Sequence, residues 1–160
     1  MNNNIIILEG IDRVGKSTLA NIISNTFNIP IYKHIYNTKP ENMNNNSETQ
    51  KMFEILNIYN KNIIFDRFNW TDYVYGTLER NYINAEFNLN SLNNKLLKLN
   101  AIFILINPTD LSKSELEHGK PLKNHLKLFN QIYNNYPGIK HKTSYNNFNN
   151  TLTWLKNLLF

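Results

Sequence analysis

Short apolar runs alternate with amphipathic stretches along the whole chain. Unbroken apolar runs are typical of strands buried on both faces, whereas apolar residues spaced three and four apart predict helices packed on one side. The predicted strands are residues 4–9, 31–36, 62–66, 101–106 and 140–145. The predicted helices are residues 17–27, 47–59, 71–82, 90–99, 122–136 and 147–160.

This alternation of strands and helices predicts an α/β fold of three layers, a five-stranded parallel sheet with helices on both faces. Neither an internal repeat nor a linker is visible, so residues 1–160 are expected to form one domain. The polar residues 109–124 are expected to form a short lid segment. Ligands of parallel sheets bind beyond the carboxyl ends of the strands, so the residues that follow each strand matter most for function.

A glycine-rich loop follows the first predicted strand. Residues 10–17 match the pattern G-x-x-x-x-G-K-[ST], with glycines at Gly10 and Gly15, and lie between a strand and a helix as a phosphate-binding loop requires. Backbone N–H groups of such a loop surround phosphate oxygens, and the helix N-terminus adds its positive dipole end. Lys16 would contact the β- and γ-phosphates, and the Ser17 hydroxyl would bind Mg²⁺. The residues expected at the phosphates of ATP are Gly10, Arg13, Val14, Gly15, Lys16, Ser17 and Thr18.

The third predicted strand ends in an acid and an arginine. Asp66 would lie beside the phosphate loop, where its carboxylate would hold Mg²⁺ directly or through water. Arg67 would hold the phosphate of a second substrate, because phosphoryl transfer brings two polyanions together and must neutralise their charge. The alternative is a surface Asp–Arg ion pair of little energetic value.

Charge and composition narrow the classes of function. The net charge of +5 comes mostly from scattered lysines, which argues against a dedicated nucleic-acid surface. Arginine occurs only at Arg13, Arg67 and Arg80, and two of these lie in the candidate phosphate motifs. Arg80 is expected either to reach the acceptor phosphate or to pair with Glu79 or Glu86. Because cysteine is absent, neither disulfides nor thiolate metal sites are expected.

The apolar runs are too short for the roughly 20 residues that cross a bilayer. Met1 is followed by three asparagines rather than by a basic segment and an apolar core. The sequence therefore predicts a cytoplasmic protein without membrane partners.

The two motifs together resemble those of the thymidylate kinase family. Residues 9–18 are similar to that family's phosphate loop nearly residue for residue, in the form that carries an arginine inside the loop. Residues 66–75 are similar to its Asp-Arg-Tyr segment, with Thr71 at the place of a Ser or Thr and Tyr75 at the place of an aromatic residue. The resemblance covers the order of elements over most of the chain. The short length of the chain suits a phage- or virus-like member of the family, which would act in the host cytoplasm.

The resemblance implies a P-loop NTPase fold and an enzyme that uses Mg²⁺ and ATP to phosphorylate a deoxynucleoside monophosphate, converting dTMP to dTDP. Asp12 would hydrogen-bond the 3′-hydroxyl of the deoxyribose, and Arg13 would reach toward the transferred phosphate. Tyr75 would lie against the sugar and disfavour a 2′-hydroxyl. Nucleotides are the expected partners, and a homodimer is left open. The implied catalytic residues are Arg13, Lys16, Asp66 and Arg67.

The chain departs from the family between the second and third strands. That region is short and has no clear match to the phenylalanine that stacks on thymine. Tyr36 and Phe53 are candidates for base stacking, or else ordinary packing residues. Acceptors other than dTMP, namely dUMP, a modified pyrimidine nucleotide or several deoxynucleotides, therefore stay open.

The lid segment contains lysines but no arginine. Lys113, Lys120 and Lys123 either close over phosphates or are ordinary charges of a solvated loop, and Gly119 would permit movement. The four histidines show no metal-ligand spacing, so no metal or catalytic role is predicted for them. Two other functions are kept as alternatives: a P-loop kinase acting on a nucleoside or on DNA, and an ATP-binding regulatory module without catalysis.

Overall fold

The computed structural model describes residues 4–34, 46–59 and 62–160. The strands are β1 Ile5–Glu9, β2 Ile31–Lys33, β3 Ile63–Asp66, β4 Ile102–Asn107 and β5 Lys140–Ser144. The helices are α1 Lys16–Phe27, α2 Asn46–Ile58, α3 Asn69–Glu79, α4 Ala85–Lys98, α5 Leu111–His118, α6 Lys123–Asn135 and α7 Phe148–Leu159. A single 3₁₀ turn, Tyr145–Asn147, precedes α7.

The five strands form one parallel sheet in the order β2-β3-β1-β4-β5, which confirms the predicted sheet. The central strand β1 is buried along its whole length. Leu8 is paired with Asp66 of β3, and Glu9 is paired with Leu105 of β4. The phosphate loop and the Asp66-Arg67 segment therefore leave the same edge of the sheet side by side.

Helix α3 is fixed to the sheet by an aromatic cluster at its start. The Trp70 ring stacks on Phe103 of β4 with centroids 4.2 Å apart, and Tyr136 meets both rings edge-on. The Trp70 indole N–H donates a hydrogen bond to Asn93 of α4 at 3.0 Å. This packing places the first turn of α3 against the end of β1.

The structure differs from the predicted elements most clearly in three places. Helix α4 begins at Ala85, five residues before the predicted start, because its first turns are rich in asparagine and hide the apolar spacing. The expected lid contains a helix, α5. Helix α3 ends at Glu79 instead of residue 82, since the Tyr82 N–H turns back to the Gly76 carbonyl. Residues 35 and 36 of the predicted second strand lie outside the described residues.

None of the helices in the described ranges is both long enough and apolar enough to cross a membrane.

A buried carboxylate joins β1 to α3. Glu9 is fully buried, and its Oε1 accepts hydrogen bonds from the backbone N–H groups of Phe68 and Trp70, both at 3.0 Å. Its Oε2 accepts from the backbone N–H of Thr71 at 3.1 Å and from the Thr71 hydroxyl. Burial raises the pKa of Glu9 to about 7, against the lowering effect of these hydrogen bonds and of the Lys16 charge. Glu9 thus caps the N-terminus of α3 from a distant part of the chain.

We expect the substitution Glu9→Gln to lower the free energy of unfolding by about 1–3 kcal/mol. The amide would place N–H donors against backbone N–H groups that now donate to a carboxylate oxygen. Urea unfolding followed by circular dichroism measures the change. Glu54→Gln, at an exposed position of α2, is the matched control and should change stability by less than about 0.5 kcal/mol. Equal effects of the two variants would contradict the capping role.

Candidate active site

The phosphate loop closes around the side chain of Lys16. Lys16 begins α1 and is only 4% exposed, and its Nζ donates hydrogen bonds to the carbonyls of Gly10, at 2.9 Å, and Ile11. Gly10 has φ of 144°, and a Cβ there would lie 2.4 Å from the Ile106 carbonyl oxygen, so only glycine fits. The loop therefore holds an ammonium group next to the N-terminus of a helix, as an anion site requires.

Burial, together with the nearby Arg67 guanidinium, lowers the pKa of Lys16 to about 8. The carboxylates of Asp12 and Asp66 act in the opposite direction. An incoming polyanion would favour the charged lysine for the same electrostatic reason.

Ser17 and Asp66 form the candidate magnesium site. The Ser17 hydroxyl donates to Asp66 Oδ2 at 2.6 Å. Asp66 is only 2% exposed, and its Oδ1 has no hydrogen-bond partner among the described residues. A buried carboxylate oxygen left over beside a hydroxyl fits a hard divalent cation such as Mg²⁺. Within the described part of the chain no group of three His, Cys, Asp or Glu side chains could hold a metal, so phosphate oxygens and water would have to complete the shell.

Asp12 lies between two basic side chains. Arg67 Nη2 is 2.7 Å from Asp12 Oδ1, and His118 Nε2 is 3.0 Å from Asp12 Oδ2. The Asp12 backbone N–H donates to the hydroxyl of Tyr75 at 3.2 Å. Burial, with the Asp12 charge, raises the pKa of Tyr75 well above its ordinary value, so the phenol is neutral.

Two cavities meet at these residues. One has a volume of about 630 Å³ and follows the phosphate loop, and the other, of about 330 Å³, lies between that loop and α3. Asp12, Arg67 and His118 line both cavities. The first is also lined by Arg13, Gly15, Lys16, Ser17, Thr18 and Glu117. The second is also lined by Lys33, His34, Thr71, Tyr75, Glu79, Arg80 and Lys120. The arrangement suits two ligands whose ends meet beside Arg67.

A second charged cluster borders the smaller cavity. Glu79 Oε1 accepts a hydrogen bond from Lys120 and lies 2.8 Å from His125 Nε2. Burial raises the pKa of Glu79, but the hydrogen bonds and charges of Lys120 and His125 outweigh it and hold that pKa below its usual value. Arg80 donates to the Tyr82 hydroxyl at 3.2 Å and does not pair with Glu79 in the described contacts.

The structure brings together most of the side chains that the sequence predicted for the site. The predicted residues that line the two cavities are Asp12, Arg13, Gly15, Lys16, Ser17, Thr18, Arg67, Tyr75 and Arg80. Asp66 reaches the site through Ser17, and Val14 lines a smaller neighbouring cavity with Arg13. Phe53 packs against the hydrophobic core and does not line either cavity. Tyr36 lies outside the described residues.

Four residues at or near the site were not predicted from the sequence. Glu9 carried a signal, since an acid directly after a buried apolar run needs a partner. His118, His125 and Glu79 carried no local signal, because only the tertiary fold brings α3, α5 and α6 to one cavity.

Comparisons with known proteins show where this fold recurs. No family model matches the sequence, and no curated protein matches it. The YorR protein of Bacillus subtilis, solved in complex with phosphorylated GDP, superposes with a TM-score of 0.77 at 21% identity, over 97% of this chain and 95% of that one. Thymidylate kinase from Ehrlichia chaffeensis superposes with a TM-score of 0.58 at 18% identity, over 99% of this chain and 100% of the other. Deoxyadenosine kinase from M. mycoides, solved with dCMP and dCDP, gives a TM-score of 0.54 at 17% identity, over 97% of each chain. The chain therefore shares its fold with these three proteins, among them a thymidylate kinase and a deoxyadenosine kinase.

We expect binding of Mg·ATP, without an acceptor, to take up protons between about pH 8 and pH 9. Lys16 loses its proton in that range because its pKa is lowered to about 8, and bound phosphates would raise that pKa again. Affinity should accordingly fall as the pH rises above about 8, and no uptake through Lys16 should occur well below it. Calorimetry in buffers of different ionisation enthalpy measures the uptake.

Lys156→Met, at an exposed position of α7, is the control for this titration and should leave proton uptake unchanged. Binding of Mg·ATP with no proton uptake at pH 8.5 would show that phosphates do not act on the Lys16 charge.

Proposed function

We propose that the protein is a kinase that transfers the γ-phosphate of Mg·ATP to a deoxynucleoside monophosphate, with dTMP as its acceptor and dTDP as the product. The observation that carries this proposal is the meeting of two cavities at Asp12 and Arg67. One cavity follows a phosphate-binding loop, and the other has the size expected of a small-molecule site. A protein that only bound ATP would not need a second cavity joined to the first.

On the donor side, the loop would hold the triphosphate with its backbone N–H groups and with Lys16. Ser17 and Asp66 would hold Mg²⁺, which when bound neutralises charge on the β- and γ-phosphate oxygens. The 2.6 Å hydrogen bond between these two side chains holds the Ser17 hydroxyl oxygen next to a carboxylate oxygen of Asp66.

On the acceptor side, Arg67 would hold the monophosphate, and its ion pair with Asp12 fixes the guanidinium at the junction of the cavities. The Asp12 carboxylate would then accept a hydrogen bond from the 3′-hydroxyl, and the Tyr75 ring would lie against the deoxyribose. Arg80 lines the same cavity and would contact the acceptor phosphate.

Transfer then needs no covalent intermediate with the protein. An oxygen of the acceptor phosphate forms a bond to the γ-phosphorus, while the bond from that phosphorus to the β,γ-bridging oxygen breaks and ADP leaves with the electron pair. A phosphate monoester is largely a dianion at neutral pH, so no proton has to be removed from the attacking oxygen. Arg13, Lys16 and Arg67 supply the positive charge for the oxygens of the transferred group.

The acceptor is identified by ADP production from Mg·ATP with dTMP, dUMP, dCMP, dGMP, dAMP, UMP, thymidine and a short DNA duplex. Turnover with dTMP supports the proposal. Turnover with dUMP, or with another deoxynucleotide alone, would support the kinase activity but assign it an acceptor with a different base. The dGMP arm is included because the YorR structure holds a guanine nucleotide. Turnover with thymidine or DNA alone would overturn the acceptor class, and bound ATP without turnover in any arm would favour a regulatory module.

We expect Arg67→Ala to lower kcat by on the order of 100-fold or more while Mg·ATP affinity changes little. Arg67 stands where the two cavities meet, so its charge is needed for transfer and not for holding the loop closed around the donor. Steady-state kinetics and calorimetry separate the two effects. Lys142→Ala, on β5 away from both cavities, is the matched loss of one cation. An Arg67→Ala variant that turns over like Lys142→Ala would remove the assigned role.

A further inference from the structure

His118 stands at the point where donor and acceptor would meet. It is the last residue of α5, and together with Asp12 and Arg67 it lines both cavities. One Asp12 carboxylate oxygen lies 2.7 Å from the Arg67 guanidinium, and the other lies 3.0 Å from His118 Nε2. We call this arrangement the Arg67–Asp12–His118 bridge. The arginine and the imidazole therefore face the same carboxylate at the junction of the cavities.

We propose that His118, as an imidazolium, is a catalytic residue that contacts the phosphoryl group during its transfer and supplies, with Arg67, positive charge from the lid segment. This inference rests on the proposed kinase function. The reaction brings two phosphates to the junction of the cavities, and the bridge already lies there. Residues 109–124 contain no arginine, so histidine and lysine are the basic side chains that this segment can offer.

The position of His118 is fixed from both sides. Asp110 caps the start of α5 by accepting a hydrogen bond from the Lys113 backbone N–H at 3.2 Å. After the helix, Gly119 turns the chain with φ of 77°, and Lys120 pairs with Glu79 of α3. The imidazole is therefore held at the cavity junction by contacts on either side of it, which an incidental surface histidine would lack.

Several charged groups decide whether the imidazole is protonated. The carboxylates that border the same cavities are Asp12, Glu79 and Glu117, and Glu79 is engaged by Lys120 and His125. The cations that border them are Arg13, Lys16, Arg67, Arg80 and Lys120, with Lys33 and His34 at the far side of the smaller cavity. Two bound phosphates would add several negative charges to this balance and so favour the imidazolium. His118 keeps its proton throughout, so the balance of the transfer step is unchanged.

The first test compares the kcat of two His118 variants with that of the wild type. His118→Gln keeps an N–H donor but no charge, and it should lose on the order of 100-fold in kcat with little change in KM for ATP. His118→Arg should restore most of the activity, because it returns a cation to this position. His141→Gln, where the ring stacks on Trp154 away from both cavities, is the matched control and should behave as wild type.

The second test needs no turnover. The histidine side-chain resonances are followed by NMR at one pH, with and without the Mg²⁺ complex of an ATP analogue in which nitrogen bridges the β- and γ-phosphates. The His118 resonance is assigned by its absence from the His118→Gln spectrum. The analogue should shift the His118 resonance and leave the His141 resonance unchanged, because only His118 borders the cavities.

The outcomes separate this inference from the proposed function. A shifted His118 resonance with no turnover of any acceptor would support the phosphate contact and overturn the kinase. Turnover that is unaffected by His118→Gln would overturn the inference and leave the kinase standing. Lost activity that His118→Arg does not restore, without a shift of the His118 resonance, would show that His118 only packs α5, and would likewise overturn the inference.

Discussion

The buried carboxylate of Glu9 holds the two phosphate motifs in register. A charge in the sheet interior is costly, and here backbone N–H groups at the start of α3 and the Thr71 hydroxyl offset part of that cost by donating to both oxygens. The positive end of the α3 dipole adds to this stabilisation. Because Glu9 directly precedes the phosphate loop and α3 directly follows Arg67, the cap fixes the distance between Lys16 and Arg67. The site geometry therefore depends on a residue that contacts neither cavity.

The site itself is a set of buried and partly buried charges that balance one another. Lys16 loses hydration on burial and is close enough to Arg67 for that cation to lower its pKa further, while Asp12 and Asp66 oppose this effect. Such a set responds strongly to an added polyanion, since phosphates relieve the repulsion between cations that the fold holds together. The same argument explains why Asp12 matters twice: its carboxylate separates Arg67 from His118, and its backbone N–H fixes the Tyr75 hydroxyl.

The sequence predicted those parts of the site that lie in short continuous segments of the chain. The phosphate loop and Asp66-Arg67 each follow an apolar strand, and parallel pairing of Leu8 with Asp66 brings them together as expected. The role of Glu9, the place of His118 and the Glu79–Lys120–His125 cluster depend on how α3, α5 and α6 pack, which spacing along the chain does not encode. The start of α4 was missed for a different reason, because asparagine replaces the polar helix formers that normally reveal helical spacing.

The lining of the smaller cavity bears on how a base would be recognised. Phe53, one of the two aromatic candidates for stacking, packs into the core, and the described lining is dominated by groups that donate or accept hydrogen bonds, such as Lys33, Glu79 and Arg80. Stacking is tolerant of base identity because every base has a π-face, whereas hydrogen bonds reject a base whose exocyclic groups leave a buried partner unpaired. A cavity of this kind would discriminate between acceptors through the edge of the base. Glu79 is the informative position, because its carboxylate is already engaged by Lys120 and His125 and would have to exchange one of them to contact an exocyclic amino group.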